Sequence, residues 1–380
     1  MSEVATEIRV VRGQGSPAER GKQIGRALGD LIERSLGFYH DYFEQRGIAS
    51  KALQDFLAPY LLAAEEHLPA YAAMVKAMAE GAMVPVWELF AVNAFEELEP
   101  LLSPDQDNLS FLQRDVGYAS PPLRPADRCS SFAVSGPGFT LMGHNEQWLA
   151  GDYGNVAVVM EIPSNGTPAL VSPTVVCCLP AVGMNEAGGA QAIQSLIAAD
   201  DGVGVPRVLV SRHSLEASDR LDAIRRASTE GRAGGYGHLF AFAGGDTFIV
   251  ETTGERTSLL EGPGPHTNHY LDPELSELGP DPSDGSTARY ERLLNLIEER
   301  RPSTPSGVME ILRDHQSAPQ AICLHPDVSQ GDEAAAIVFS MVCDLEDGRM
   351  WVAPGNPCST PYEEIDLTDV IARPQPSDVG

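Results

Sequence analysis

The chain has 380 residues, 43% of them hydrophobic, and its 54 acidic against 26 basic side chains leave a net charge of −28. That acidic balance disfavours nucleic acid and anionic membrane surfaces as partners, because both demand basic patches. The apolar fraction and the lack of low-complexity tracts describe a globular chain with room for a sizeable core.

The first thirteen residues mix acids with apolar residues, unlike a secretory leader. Ser16-Pro17-Ala18-Glu19 is a helix start, with Ser16 as cap, Pro17 at the first position and Glu19 completing a capping box. Apolar residues then recur at helical spacing from Ile24 to Phe43, and further helices are expected over 51–66, 70–80 and 85–98. The most apolar stretch, 70–92, is interrupted by Lys76, Glu80 and Glu88, so no membrane span is expected and the cytoplasm is the default location. Residues 1–100 therefore read as helical, and 101–128, with Pro104, Pro121, Pro122 and Pro125, as an exposed connector.

The texture changes at Cys129. Residues 130–135 and 139–144 around Gly136-Pro137-Gly138 predict a hairpin, and 155–162 and 169–178 predict further strands. A tight turn at 183–189 leads into another strand ending near Ile193. Helices are expected at 207–217 and 220–228, a second hairpin at 239–251, helices at 288–300 and 307–315, and closing strands at 335–343 and 350–353. From about 371 the tail is polar and Pro-rich and is expected to be disordered. Hairpins segregated from paired helices predict an α+β layered domain with a mainly antiparallel sheet. No G-x-G-x-x-G or P-loop lies between a strand and a helix, so a nucleotide fold is disfavoured.

The six cysteines, Cys129, Cys177, Cys178, Cys323, Cys343 and Cys358, show neither a C-x-x-C pair nor a zinc spacing. With no secretion signal a disulfide framework is not expected, and five of them read as core packing. Cys129 opens the β-prone run Cys129-Ser130-Ser131-Phe132-Ala133-Val134 directly after the Pro-rich connector. Taken alone, that favours a structural cysteine at the head of a strand. Its chemical potential lies in its position. A free thiol has a pKa near ~8.5 and needs a base, whereas an α-amine titrates at about 7.7–8.0. A cysteine at a chain terminus therefore carries nucleophile and base in one residue.

Several stretches in order resemble the acyl-coenzyme A:6-aminopenicillanic acid acyltransferase family of self-processing N-terminal-nucleophile hydrolases. They are Gly13-Gln14-Gly15-Ser16-Pro17 with Gly21 and Gly25, Cys129-Ser130-Ser131, and Gly143-His144-Asn145-Glu146-Gln147-Trp148. Gly183-Met184-Asn185-Glu186-Ala187-Gly188, Gly204-Val205-Pro206-Arg207 and His266-Thr267-Asn268-His269 follow. The similarity runs from about residue 10 to about 360. It implies a four-layer αββα sandwich of two mainly antiparallel sheets. It also implies a precursor cut between Arg128 and Cys129 into an α fragment (1–128) and a β fragment (129–380), paired as a heterodimer. Cys129 would then attack a small-molecule amide or thioester, acyl-coenzyme A among the admissible substrates, with no cofactor and no metal. Asn268 matches the family's side-chain oxyanion donor. Gln147 stands where the family has an Asp that holds the terminal ammonium. Glu146, its neighbour, is expected on the other strand face. His144, Asn145 and Trp148 are candidate substrate contacts. The family's Arg after Ile-Cys is Leu324 here, next to His325.

Two other function classes fit the residues. A non-catalytic relative that binds a metabolite or partner protein is favoured by Gln147 and Leu324. A Cys-His hydrolase would keep Cys129 internal and use His144 or His269 as base. The histidine pair His266 and His269 stands alone at i, i+3, so no metal is expected there.

Overall fold

Ser16 caps the first helix as its sequence dictates: its side chain accepts from the Glu19 amide, and the Glu19 carboxylate accepts from the Ser16 amide. The computed structural model describes residues 8–98, 129–368 and 370. The expected connector at 101–128, Arg128 and the tail lie outside the described residues. Helix α1 (Pro17–Gln45) is followed by α2 (Ser50–His67), α3 (Pro69–Ala82) and α4 (Val86–Asn93), and a 3-10 turn closes the run at Glu96–Leu98. The chain before α1 forms strand β1 (Arg9–Gly15), which corrects the expectation of helix throughout the first hundred residues. Gly21 and Gly25 fall where α1 crosses α3: a Cβ would lie 2.3 Å from the Met74 carbonyl oxygen at Gly21 and 2.0 Å from that of Met78 at Gly25. Only glycine permits that approach.

The described residues contain two sheets. The first runs in the order β1, β4 (Val156–Pro163), β5 (Leu170–Val175), β6 (Gly183–Asn185), β7 (Gly189–Leu196), β8 (Gly235–Phe242), β9 (Asp246–Thr252) and β10 (Thr257–Glu261). The second runs β11 (Gly264–His266), β2 (Ser130–Gly136), β3 (Phe139–Leu149), β12 (Ala335–Asp344), β13 (Arg349–Ala353) and β14 (Glu363–Ile365). Among these pairings β1 with β4 is parallel and the others are antiparallel. Strands β2 and β3 contact β7 and β8 across the sandwich.

Helices cover both outer faces, giving the αββα layering. On the first sheet lie α1, α5 (Arg207–Ser214) and α6 (Arg220–Ala227), and on the second α7 (Asp284–Arg300) and α8 (Pro305–Leu312). Strand alternation sorts the core accordingly. Phe132, Val134 and Leu141 turn outward and pack with Leu293, Val308 and Leu312, whereas Ala133 and Met142 turn inward to the main core. Burying such side chains contributes about 1.5–3 kcal/mol each. Among the described residues no helix is long and apolar enough to cross a membrane.

Candidate active site

The β2–β3 hairpin sets the site through its register. Gly136 pairs with Phe139 around Pro137-Gly138, and the ladder continues to Ser131 opposite His144 and Ser130 opposite Asn145. One residue further, Cys129 comes opposite Glu146. Residues directly opposite in an antiparallel pair share a face, and here it is the inward one. Cys129 Sγ donates to Glu146 Oε1 at 3.3 Å. Glu146 Oε2 lies 2.9 Å from His144 Nε2, and His144 Nδ1 lies 2.7 Å from Ser131 Oγ. Gln194 on β7 donates to that hydroxyl from the facing sheet. A buried chain of polar groups thus links Ser131, His144, Glu146 and the thiol.

Alternation does place Glu146 and Gln147 on opposite faces. The inward face, however, is the one that holds Cys129. The carboxylate beside the thiol therefore belongs to Glu146, and the expectation that Glu146 points away is corrected. The turn at Pro137-Gly138 carried that information, because it fixes which residue of β3 faces Cys129. Gln147 is buried, and its backbone N–H reaches the sulfur. Burial pushes the Cys129 thiol well above its usual range, the Glu146 charge pushes it further, and the Gln147 N–H partly offsets both. A neutral thiol in this setting needs a base before it can attack.

Asn145 stands on the outer face. Its Nδ2 donates to Leu312 O at 2.9 Å and to Ile322 O at 2.8 Å, and its Oδ1 accepts from Ser340 Oγ. The structure thus places it as a cross-link between β3 and α8, away from the thiol. Trp148 lies inward, donates to Tyr39 OH at 2.6 Å and lines a cleft that opens on Cys129. The other walls include Pro173, Val175, Leu179, Val182, Ile193 and Phe339, and the polar lining includes Glu96, Ser195 and Tyr236. The cleft is apolar, with the Glu96 and Glu146 carboxylates in its lining and Glu146 beside the sulfur.

Asn268 follows β11 at the edge next to β2. Its Nδ2 donates to Ser195 O at 3.2 Å, and Ser195 lines the cleft. Its Oδ1 accepts from Arg289 Nη2 at 2.9 Å, while Arg289 Nε donates to Ser130 Oγ at 3.0 Å. Arg289, buried on α7, therefore orients the Asn268 amide and fastens it to the residue after Cys129. Sequence reading missed Arg289, which is 159 positions from Ser130, and Glu96 as well. The Gly204-Val205-Pro206-Arg207 motif, recognised without a role, explains how Glu96 is held. Arg207 donates to Glu97 Oε1 at 2.8 Å and so anchors the turn that carries Glu96, whose carboxylate accepts from Ser195 Oγ. His266 is buried against Glu251 and His269 bonds Ser286 Oγ, so these two rings serve separate partners. His325 is not part of the cleft lining.

The acyl-coenzyme A:6-aminopenicillanic acid acyl-transferase family model matches residues 134–359, more than half of the chain. The chain belongs to this family. The matched region of the acyl-transferase family includes His144, Glu146 and Asn268 and begins after Cys129. Solved structures similar to the chain include a penicillin V acylase from Agrobacterium tumefaciens, at 14% identity and TM-score 0.44, over 63% of this chain and 87% of that one. A conjugated bile acid hydrolase from Clostridium perfringens is similar at 13% identity and TM-score 0.39, over 63% of this chain and 93% of that one. No curated protein sequence matches the chain.

Proposed function

We propose that the chain is a self-processing N-terminal-cysteine amidohydrolase or acyltransferase acting on a small-molecule amide or thioester. The observation that carries the reading is the Cys129 thiol facing the Glu146 carboxylate at 3.3 Å on the wall of an apolar cleft. Processing begins when Cys129 Sγ attacks the Arg128 carbonyl. A C–S bond forms, the C–N bond breaks, and the freed nitrogen takes the proton. Water then hydrolyses the thioester, releasing the Arg128 carboxylate and restoring the thiol.

In the processed enzyme the α-amine of Cys129 takes the thiol proton as sulfur attacks the substrate carbonyl. Glu146, held by His144, which Ser131 holds in turn, balances the resulting ammonium, the task that the family gives to an Asp at the position of Gln147. The Asn268 amide stabilises the oxyanion, and the ammonium returns its proton to the departing amine of an amide or the departing thiolate of a thioester. Water or an acceptor amine then removes the acyl group from sulfur. The apolar walls suit an apolar acyl half, and Glu96 suits a protonated amine on the substrate.

A second reading has one observation in its favour: the chain from His144 through Glu146 to the thiol offers a base without any cleavage. Cys129→Ala and His144→Ala separate the two. Self-processing predicts that Cys129→Ala stays one polypeptide without turnover, and that His144→Ala is still cut. Full activity of an uncut wild-type chain, lost in His144→Ala, would establish the second reading instead. Within the first reading, Glu96→Gln is expected to raise KM for aminoacyl amides and leave KM for uncharged acyl amides unchanged.

A further inference from the structure

Away from the cleft, four side chains point at one another across the connection between α8 and β12. His315 follows α8, Cys323 and His325 lie on the return toward β12, and Cys358 lies between β13 and β14. His315 Nε2 is 3.0 Å from His325 Nε2. The latter nitrogen is 3.1 Å from Cys358 Sγ and 4.0 Å from Cys323 Sγ. All four donor atoms fall within 4.8 Å of one another. One imidazole nitrogen carries a single hydrogen or a single lone pair, so hydrogen bonding satisfies one of these three approaches at a time. A cation at their centre satisfies all of them together.

We infer that His315, Cys323, His325 and Cys358 form a tetrahedral Cys2His2 site for zinc. Zinc takes sulfur at about 2.3 Å and imidazole nitrogen at about 2.0–2.1 Å, which gives tetrahedral edges of roughly 3.3–3.8 Å. The three separations that involve His325 Nε2, 3.0 to 4.0 Å, bracket those edges. Two thiolates with two imidazoles select zinc over magnesium, calcium or manganese, which prefer oxygen. Four protein ligands leave no open position, so the ion is structural.

Its place in the fold says what it holds. Asn356 Nδ2 donates to Leu324 O at 2.6 Å and approaches Cys323 Sγ at 3.6 Å, tying the same two segments without the metal. Ile322 O, adjacent to Cys323, accepts from Asn145, the β3 residue between His144 and Glu146. Zinc thus clips a long irregular segment against the underside of the strand that carries the catalytic carboxylate.

The test is metal analysis of full-length protein produced without a polyhistidine tag and desalted. Wild type is expected to hold one zinc per chain and to lower its melting temperature on chelation. Cys358→Ser, at an exposed position, and His315→Gln are expected to lose the zinc while Cys129→Ala retains it. Cobalt-reconstituted wild type is expected to show thiolate-to-cobalt charge-transfer bands that Cys358→Ser lacks. Wild type that neither contains zinc nor binds added zinc would overturn the assignment. So would a Cys323–Cys358 disulfide in the unreduced protein, or zinc that disappears with Cys129→Ala and persists in Cys358→Ser.

Discussion

Cys129 and Cys323 are both buried cysteines within reach of a histidine, yet their surroundings are built on different plans. Around Cys129 the polar atoms are strung out in a line from Ser131 through His144 and Glu146 to the sulfur, each with its own partner, and apolar walls flank the end. Around Cys323 they converge on one point near the surface. A line of hydrogen bonds can orient and move a proton. Three approaches converging on one imidazole nitrogen exceed what its single hydrogen or lone pair can satisfy, and an ion satisfies them together. The difference shows that residue type alone does not separate a nucleophile from a ligand, whereas the arrangement of neighbouring donors does.

The strongest way to break that contrast is Cys129→Ala. It is expected to abolish processing and lower turnover by about 10³-fold or more, seen as one band on denaturing gels and no product in a discontinuous assay. Cut protein from this variant would remove the thiol from the self-cleavage step. Asn268→Ala comes next, with an expected loss of about 10²–10³ in kcat and little change in KM. A variant with unaltered kcat would assign the oxyanion to other donors.

Asn145→Ala sharpens the comparison from the other face of β3. It leaves buried partners unpaired and is expected to cost about 1–3 kcal/mol in denaturant unfolding, with a smaller effect on kcat than Asn268→Ala has. The reverse ranking would bring Asn145 back as a substrate contact. Glu146→Gln removes the charge that raises the thiol, so iodoacetamide should alkylate Cys129 at lower pH in this variant than in wild type. An unshifted profile would show that the carboxylate does not act on the sulfur.

The smallest effect lies outside both clusters. Burial pushes His238 down to about 3 from an ordinary value of 6.5. A depressed histidine contributes stability that is present above 6.5 and is lost as pH falls toward 3, because the unfolded chain takes up the proton first. The expected loss is roughly 1 kcal/mol by pH 6, and His238→Gln should lose less than wild type over the same interval. Equal losses would assign the acid sensitivity to other groups.

Much of this was written locally in the chain. The Ser16 capping box, the hairpin around Pro137-Gly138 and the hairpin around Gly244-Gly245 each depend on a few neighbouring residues. The short strands β1, β10, β11 and β14 were not legible, because each exists through a partner distant in sequence or follows directly on another strand. Alternation alone leaves the environment of Glu146 undetermined, because the register that the turn imposes decides which face of β3 meets Cys129. Arg289 and Glu96 reach the site through tertiary packing alone. Cys358 read as core and is exposed. The spacing of His315, Cys323, His325 and Cys358 follows no familiar metal pattern, since three separate turns of the fold bring the four together.

The state of the bond before Cys129 is the most direct test of self-processing. Intact mass and N-terminal sequencing of freshly purified, fully active wild type should find two polypeptides, residues 1–128 and 129–380, the second beginning with a cysteine that an acyl substrate labels. A single 380-residue polypeptide that turns over substrate and carries no acyl group on Cys129 would contradict it.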